Sequence, residues 1–113
     1  MSYLFVFNDT PYGNQRTFNG MRWALTQARK TKIKVFLLGD GVTAALAGFN
    51  PASADYNPQE MLAGIAATGA EIAACGTCLE SRGMLQALIP QVQRGTLDML
   101  CDWSSEADKV VTF

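Results

Sequence analysis

Tyr3-Leu4-Phe5-Val6-Phe7 is an unbroken run of aromatic and branched side chains that stops at Asn8-Asp9-Thr10-Pro11. A run with no polar alternation reads as a strand covered on both faces, the habit of parallel sheets flanked by helices. Lys32 to Leu38 repeats the pattern and stops at Gly39-Asp40-Gly41. Ala70-Glu71-Ile72-Ala73-Ala74 is a weaker version that runs into Cys75. A short fourth strand is expected at Gln91 to Arg94 and a closing one at Lys109 to Phe113.

Helical spacing fills the intervals. Phe18, Met21, Leu25 and Ala28 form one apolar stripe between the first two strands. Asn57-Pro58-Gln59-Glu60 supplies a cap, a proline at the first helical position and a glutamate three residues after the cap. The stripe that follows, Met61, Leu62, Ile65 and Ala66, ends at Thr68-Gly69, where glycine suits the left-handed residue after a helix. Near the C-terminus Leu97, Leu100, Cys101, Ser104 and Ala107 share a helix face, which assigns Cys101 to packing. Strands alternating with helices imply right-handed crossovers. The expected fold is an α/β three-layer sandwich with a mostly parallel sheet of about five strands and helices on both faces. There is no repeat or linker, and the stretch from Phe49 to Asn57, with Pro51, Ser53 and Asp55, reads as one loop, so residues 1–113 are expected to form a single domain.

Composition narrows the function. The chain of 113 residues is 49% hydrophobic and 17% charged, which describes a globular protein with a core. Its net charge of −1 lacks the field that draws in nucleic acid or an anionic membrane, so neither partner is expected. No apolar run approaches the roughly 20 residues of a spanning helix. Three cysteines and a start, Met1-Ser2-Tyr3, without a basic leader point to the cytoplasm. The absence of histidine removes Ser-His and Cys-His catalysis and imidazole metal sites. One Cys-x-x-Cys pair plus one more cysteine makes a poor zinc site. No Gly-x-Gly-x-x-Gly or Walker sequence follows a strand, and the loop Thr10 to Asn14 lacks the run of hydroxyl residues that holds flavin phosphate, so no cofactor and no metal are expected.

Chemistry in such sheets collects beyond the carboxyl ends of the strands. Three segments end there: Asn8 to Arg16, Gly39-Asp40-Gly41, and Cys75-Gly76-Thr77-Cys78-Leu79-Glu80-Ser81-Arg82-Gly83. With a flavodoxin-like order, strands one and three are neighbours, which would bring Tyr12, Arg16 and Cys75 into one cleft. Cys75 needs a thiolate to react, and Arg82, Arg16 or helix amides are the groups able to favour it. Cys75 and Cys78 are also read as small apolar fillers, since free cysteine is among the most buried residue types, or as a redox pair. The carboxylates Asp9, Asp40, Asp55 and Glu80 read as turn residues and caps. Trp23 projects away from its helix stripe, as an interface residue or packed against the Phe49 to Asn57 loop.

Asn8-Asp9-Thr10-Pro11-Tyr12-Gly13, Gly39-Asp40-Gly41-Val42-Thr43-Ala44-Ala45, the segment Cys75 to Gly83, Tyr56-Asn57-Pro58-Gln59-Glu60-Met61 and Glu106-Ala107-Asp108-Lys109-Val110 together resemble the DsrE/DsrF-like family of small sulfur-relay proteins, nearly end to end. The resemblance implies a flavodoxin-like fold, a homo-oligomer that is often a trimer or hexamer, and a cysteine that carries persulfide sulfur between donor and acceptor proteins. In the relay branch that cysteine stands eight residues before the glycine of an Arg-Gly step. Arg82-Gly83 is that step here, so the resemblance selects Cys75. Cys78 has no counterpart in that branch and is either a resolving thiol or structural. The implied roles place Arg82 and Arg16 on the terminal sulfur, Tyr12 and Asn8 along the cleft, and Gly76 where access is needed. A small-ligand-binding module of the same fold and a Cys-x-x-Cys dithiol protein are the alternatives.

Overall fold

In the computed structural model, which describes residues 1–49 and 55–113, strand β1 (Ser2–Phe7) lies between β2 (Lys32–Leu37) and β5 (Lys109–Thr112). β3 (Glu71–Cys75) and β4 (Gln93–Gly95) extend the sheet to the order β4-β3-β2-β1-β5, with every pair parallel. Phe5 stands opposite Val35 on one side and Val111 on the other. Helices α1 (Arg16–Ala28), α2 (Pro58–Ala67), α3 (Gly76–Ser81) and α4 (Leu97–Glu106) complete a flavodoxin-like three-layer α/β arrangement. A 3₁₀ turn, Gly39–Ala45, follows β2. Pro51 and Ser53 of the expected 49–57 loop fall outside the described residues. Among the described residues no helix is long and apolar enough to cross a membrane.

The alternation of each strand sets the layers. Phe5 and Phe7 point to α1, where the Phe5 ring meets Trp23 edge-on at 5.5 Å and the Phe7 ring fills the space left by Gly20. A Cβ at Gly20 would collide with that ring. This explains why Thr17, Gly20, Met21 and Ala24 form the buried line of α1, while Phe18, Leu25 and Ala28 of the expected stripe lie beside it, half-buried. α2 packs on α1, with Gly64 against Leu25. Its N-terminus is as the sequence reads: the Asn57 side chain accepts from the Glu60 N–H (3.1 Å) with Pro58 in the first turn, and Gly69 ends the helix at φ +95°.

On the opposite face Phe36 meets Trp103 of α4 edge-on at 6.0 Å. This corrects the C-terminal stripe. Trp103 is the buried residue of α4, with Met99, Leu100 and Ala107 beside it, whereas Leu97 is 60% exposed and Cys101 is exposed. Burying the indole gains more than burying the small Cys101 side chain, so the helix turns its tryptophan inward. Cys101 is therefore not a packing residue of this core.

The strand order corrects a second expectation, because β2 separates β1 from β3. Three successive crossovers step the chain from β1 to β2, β3 and β4 in one direction, and the α4 connection returns it across the sheet to β5. The fourth strand begins at Gln93 rather than Gln91, because the Val92 N–H is still bonded in a turn to the Ile89 carbonyl. Trp23 stays 45% exposed and leans edge-on against Phe5 and Phe113, while Phe49 pairs with Tyr12.

Candidate functional site

The reversal in strand order locates a crevice. β3 leads into α3 on the face shared with α1 and α2, while its neighbour β4 leads into α4 on the other face. Connections that part in this way leave a gap outside the carboxyl ends of the two strands, where ligands bind in open α/β sheets. Here the gap is a cleft of about 430 Å³ lined by Leu38, by Cys75-Gly76-Thr77-Cys78 and by Arg94-Gly95-Thr96-Leu97. The N-terminal turns of α3 and α4 both border it, which favours negative charge.

Cys75 ends β3 and caps α3. Its Sγ accepts the Cys78 N–H at 3.4 Å, the position a serine or aspartate oxygen takes in an ordinary cap. The residue is 5% exposed, so its sulfur is set into the wall of the cleft rather than displayed on it. Cys78, one turn on, is half-exposed, and its Sγ accepts the Gly39 N–H at 3.2 Å. Burial pushes the Cys78 thiol up, and the Cys75 sulfur pushes it further; the Gly39 amide and the Arg82 charge offset only part of this.

Arg82 closes α3. It donates to the Cys78 carbonyl (3.0 Å) and to Ser81 Oγ (3.2 Å), and pairs with Asp40 at 2.7 Å, tying α3 to the 3₁₀ turn. It touches the site through the backbone of Cys78 and does not line the cleft. Gly76 does line it, because Arg94 lies over its Cα: a Cβ there would stand 2.5 Å from Arg94 Nε. Arg94 also faces Glu80 at 3.6 Å. Sequence reasoning missed Arg94, whose one signal is a basic residue near the end of a three-residue strand.

The remaining candidates belong to the loop after β1, on the far side of β2. Asn8 is held by its backbone: its N–H donates to the Phe113 carbonyl (2.8 Å) and its carbonyl accepts the Gly41 N–H (3.1 Å). The Tyr12 hydroxyl accepts from Gln59 Nε2 at 2.8 Å, and its ring packs on Phe49 at 5.1 Å. Burial pushes the Tyr12 phenol up; the Gln59 bond works against this and Tyr56 adds to it. Arg16 is solvent-facing and paired with Asp9 at 3.1 Å. Tyr12 and Arg16 therefore do not share the Cys75 cleft, as a neighbouring β1 and β3 would have required. Asp9 of the loop after β1, Asp40 of the 3₁₀ turn and Glu80 of α3 each face an arginine. Among the described residues no three Cys, Asp or Glu side chains come together as a metal-ligand set.

Comparison with known proteins places this geometry. The chain is 39% identical to Protein YchN of Escherichia coli K12, with 97% of each chain covered, and 32% identical to an uncharacterized protein of Methanocaldococcus jannaschii along the whole of both. It superposes on the crystal structure of the Escherichia coli YchN protein with a TM-score of 0.93 at 37% identity, covering 100% of this chain and 99% of that one. A conserved protein of unknown function from Bacteroides thetaiotaomicron shares the fold at a TM-score of 0.71 and 18% identity, covering 98% of this chain and 94% of that one. The DsrE/DsrF-like family model matches residues 1–113, and the chain belongs to that family.

Proposed function

We propose that this protein carries sulfane sulfur on Cys75. The observation that bears the proposal is the placement of that sulfur as the cap of α3, accepting an amide N–H, in the wall of the β3/β4 crevice. Membership of a family broadly linked to sulfur relay supports it. The Cys75 thiolate attacks the outer sulfur of a donor persulfide; a new S–S bond forms, the donor's S–S bond breaks, and the donor leaves as a thiolate. An acceptor thiolate then attacks the outer sulfur on Cys75 and releases the Cys75 thiolate. In the loaded state the outer sulfur is anionic, with Arg94 the cleft's own cation beside it and the amides of α3 and α4 adding to the field. Arg82 acts from behind, by fixing Cys78 and Asp40. Asn8, Tyr12 and Arg16 lie farther along the same sheet edge and are open to a docked donor or acceptor protein.

A carrier needs a reducing compartment to keep its thiols free, which fits the cytoplasm. Exposed Trp23 and Val110 fit a homo-oligomer, a trimer or hexamer. Incubation with glutathione persulfide followed by intact mass measurement tests the proposal. It predicts a gain of one sulfur that is lost in Cys75→Ser; a wild-type protein that takes up no sulfur refutes it.

A further inference from the structure

Cys78 is a second sulfur on the same helix turn, and the carrier reading leaves it without a task. Its backbone N–H points at Cys75 Sγ from 3.4 Å, and its own Sγ is pinned by the Gly39 amide at 3.2 Å. It is more open to the cleft than Cys75. From this arrangement we infer that Cys78 is a resolving thiol that limits the lifetime of the persulfide on Cys75 by displacing its outer sulfur as hydrosulfide. The inference rests on the carrier reading.

The step balances within the protein. The Cys78 thiolate attacks Cys75 Sγ, the inner sulfur; a Cys75–Cys78 disulfide forms and the bond to the outer sulfur breaks. The outer sulfur takes the electron pair and, with the proton that Cys78 gives up, leaves as hydrosulfide. Cys78 sulfur is oxidised and the outer sulfur reduced, with no external oxidant. Return to the dithiol takes two electrons and two protons from an external dithiol by exchange.

The two outcomes of a loaded Cys75 use different sulfurs. A partner's thiol reaches the outer atom through the cleft, whereas Cys78 reaches the inner one from within the helix turn. Burial holds the Cys78 proton at neutral pH, so most of its population is at rest while a partner docks. Delivery comes first, and an undelivered sulfur is shed.

The test uses Cys101→Ser as background, so that the exposed free thiol of Cys101 cannot contribute adducts or disulfides to the readout. Protein loaded with glutathione persulfide is freed of donor and followed by intact mass and by a sulfide assay. The expected result is decay of the one-sulfur adduct to a species two hydrogens lighter than the starting protein, with sulfide released in equal amount and peptides mapping the bond to Cys75 and Cys78. In Cys78→Ser, and in Cys78→Ala should serine disturb the helix turn, the adduct persists at least about tenfold longer, because an intramolecular thiol has been removed. Equal persistence in all three proteins overturns the role of Cys78 and leaves the carrier reading standing. A disulfide without any prior sulfur adduct, or no sulfur uptake in any of them, overturns both.

Discussion

Arg94 lies across the Cα of Gly76, with its Nε at the distance where a Cβ on that glycine would be 2.5 Å away. The contact joins the start of α3 to β4 and draws a cation over the mouth of the thiol cleft. Gly76→Ala should push the guanidinium aside. The obstructing atoms belong to a flexible side chain and alanine favours a helical position, so the stability change is expected within about 1 kcal/mol. Persulfide loading should slow, as it should in Arg94→Ala. Unchanged loading in both would remove Arg94 from the mechanism.

Gly41 makes the opposite case. A Cβ there would strike the backbone carbonyl of Phe7, which cannot swing away. Gly41→Ala is therefore expected to lose about 3 kcal/mol, near the upper range for overpacking, or to fail to fold. Urea denaturation of Gly41→Ala beside Gly76→Ala checks the contrast.

Trp103 and Cys101 lie two residues apart on α4 with opposite exposures. Trp103→Ala should cost about 3–5 kcal/mol of stability, while Cys101→Ser should stay within about 0.5 kcal/mol. A thiol reagent should modify Cys101 first in the native protein, ahead of buried Cys75. Mass-mapped alkylation reads the order.

The Cys78 thiol is held above its ordinary value of about 9. The folded state therefore keeps that proton to higher pH than the unfolded chain does. Its contribution is complete below pH 9 and is lost as pH rises through the folded value, so the melting temperature should fall on the alkaline side. Part of that fall should be missing in Cys78→Ser. Identical alkaline slopes for the two proteins would contradict the raised thiol.

Trp23 presents nearly half of its surface to solvent beside the edge strand β5, where Val110 is also open. Sedimentation at micromolar concentration is expected to show an oligomer that Trp23→Ala weakens. A wild-type protein sedimenting only as a 12.2 kDa monomer would rule this out.

Much of this architecture can be read from residue patterns. Tyr3 to Phe7 and Lys32 to Leu38 announce their strands because a doubly covered strand has no polar alternation, and the Asn57 cap announces α2 because orphan amides need an acceptor. Which strands are neighbours is another matter. Periodicity describes one element at a time, whereas adjacency depends on where each crossover lands, so the sequence pattern alone puts the loop bearing Tyr12 and Arg16 in a cleft that β2 keeps it from. Arg94 stays hidden for a related reason: three residues of β4 carry too little pattern to show which side chain turns toward α3. Cys75 is legible because its place at the end of a strand requires no knowledge of the neighbours.

One wall of the Cys75 cleft is borrowed from β4, whose three residues form an outermost rung of the sheet. Outer rungs are the first to loosen, since only one side is laced by backbone bonds. Reach to the thiol is thus governed at the periphery of the molecule, and amide protons at 93–95 would register its opening well before the central strands noticed.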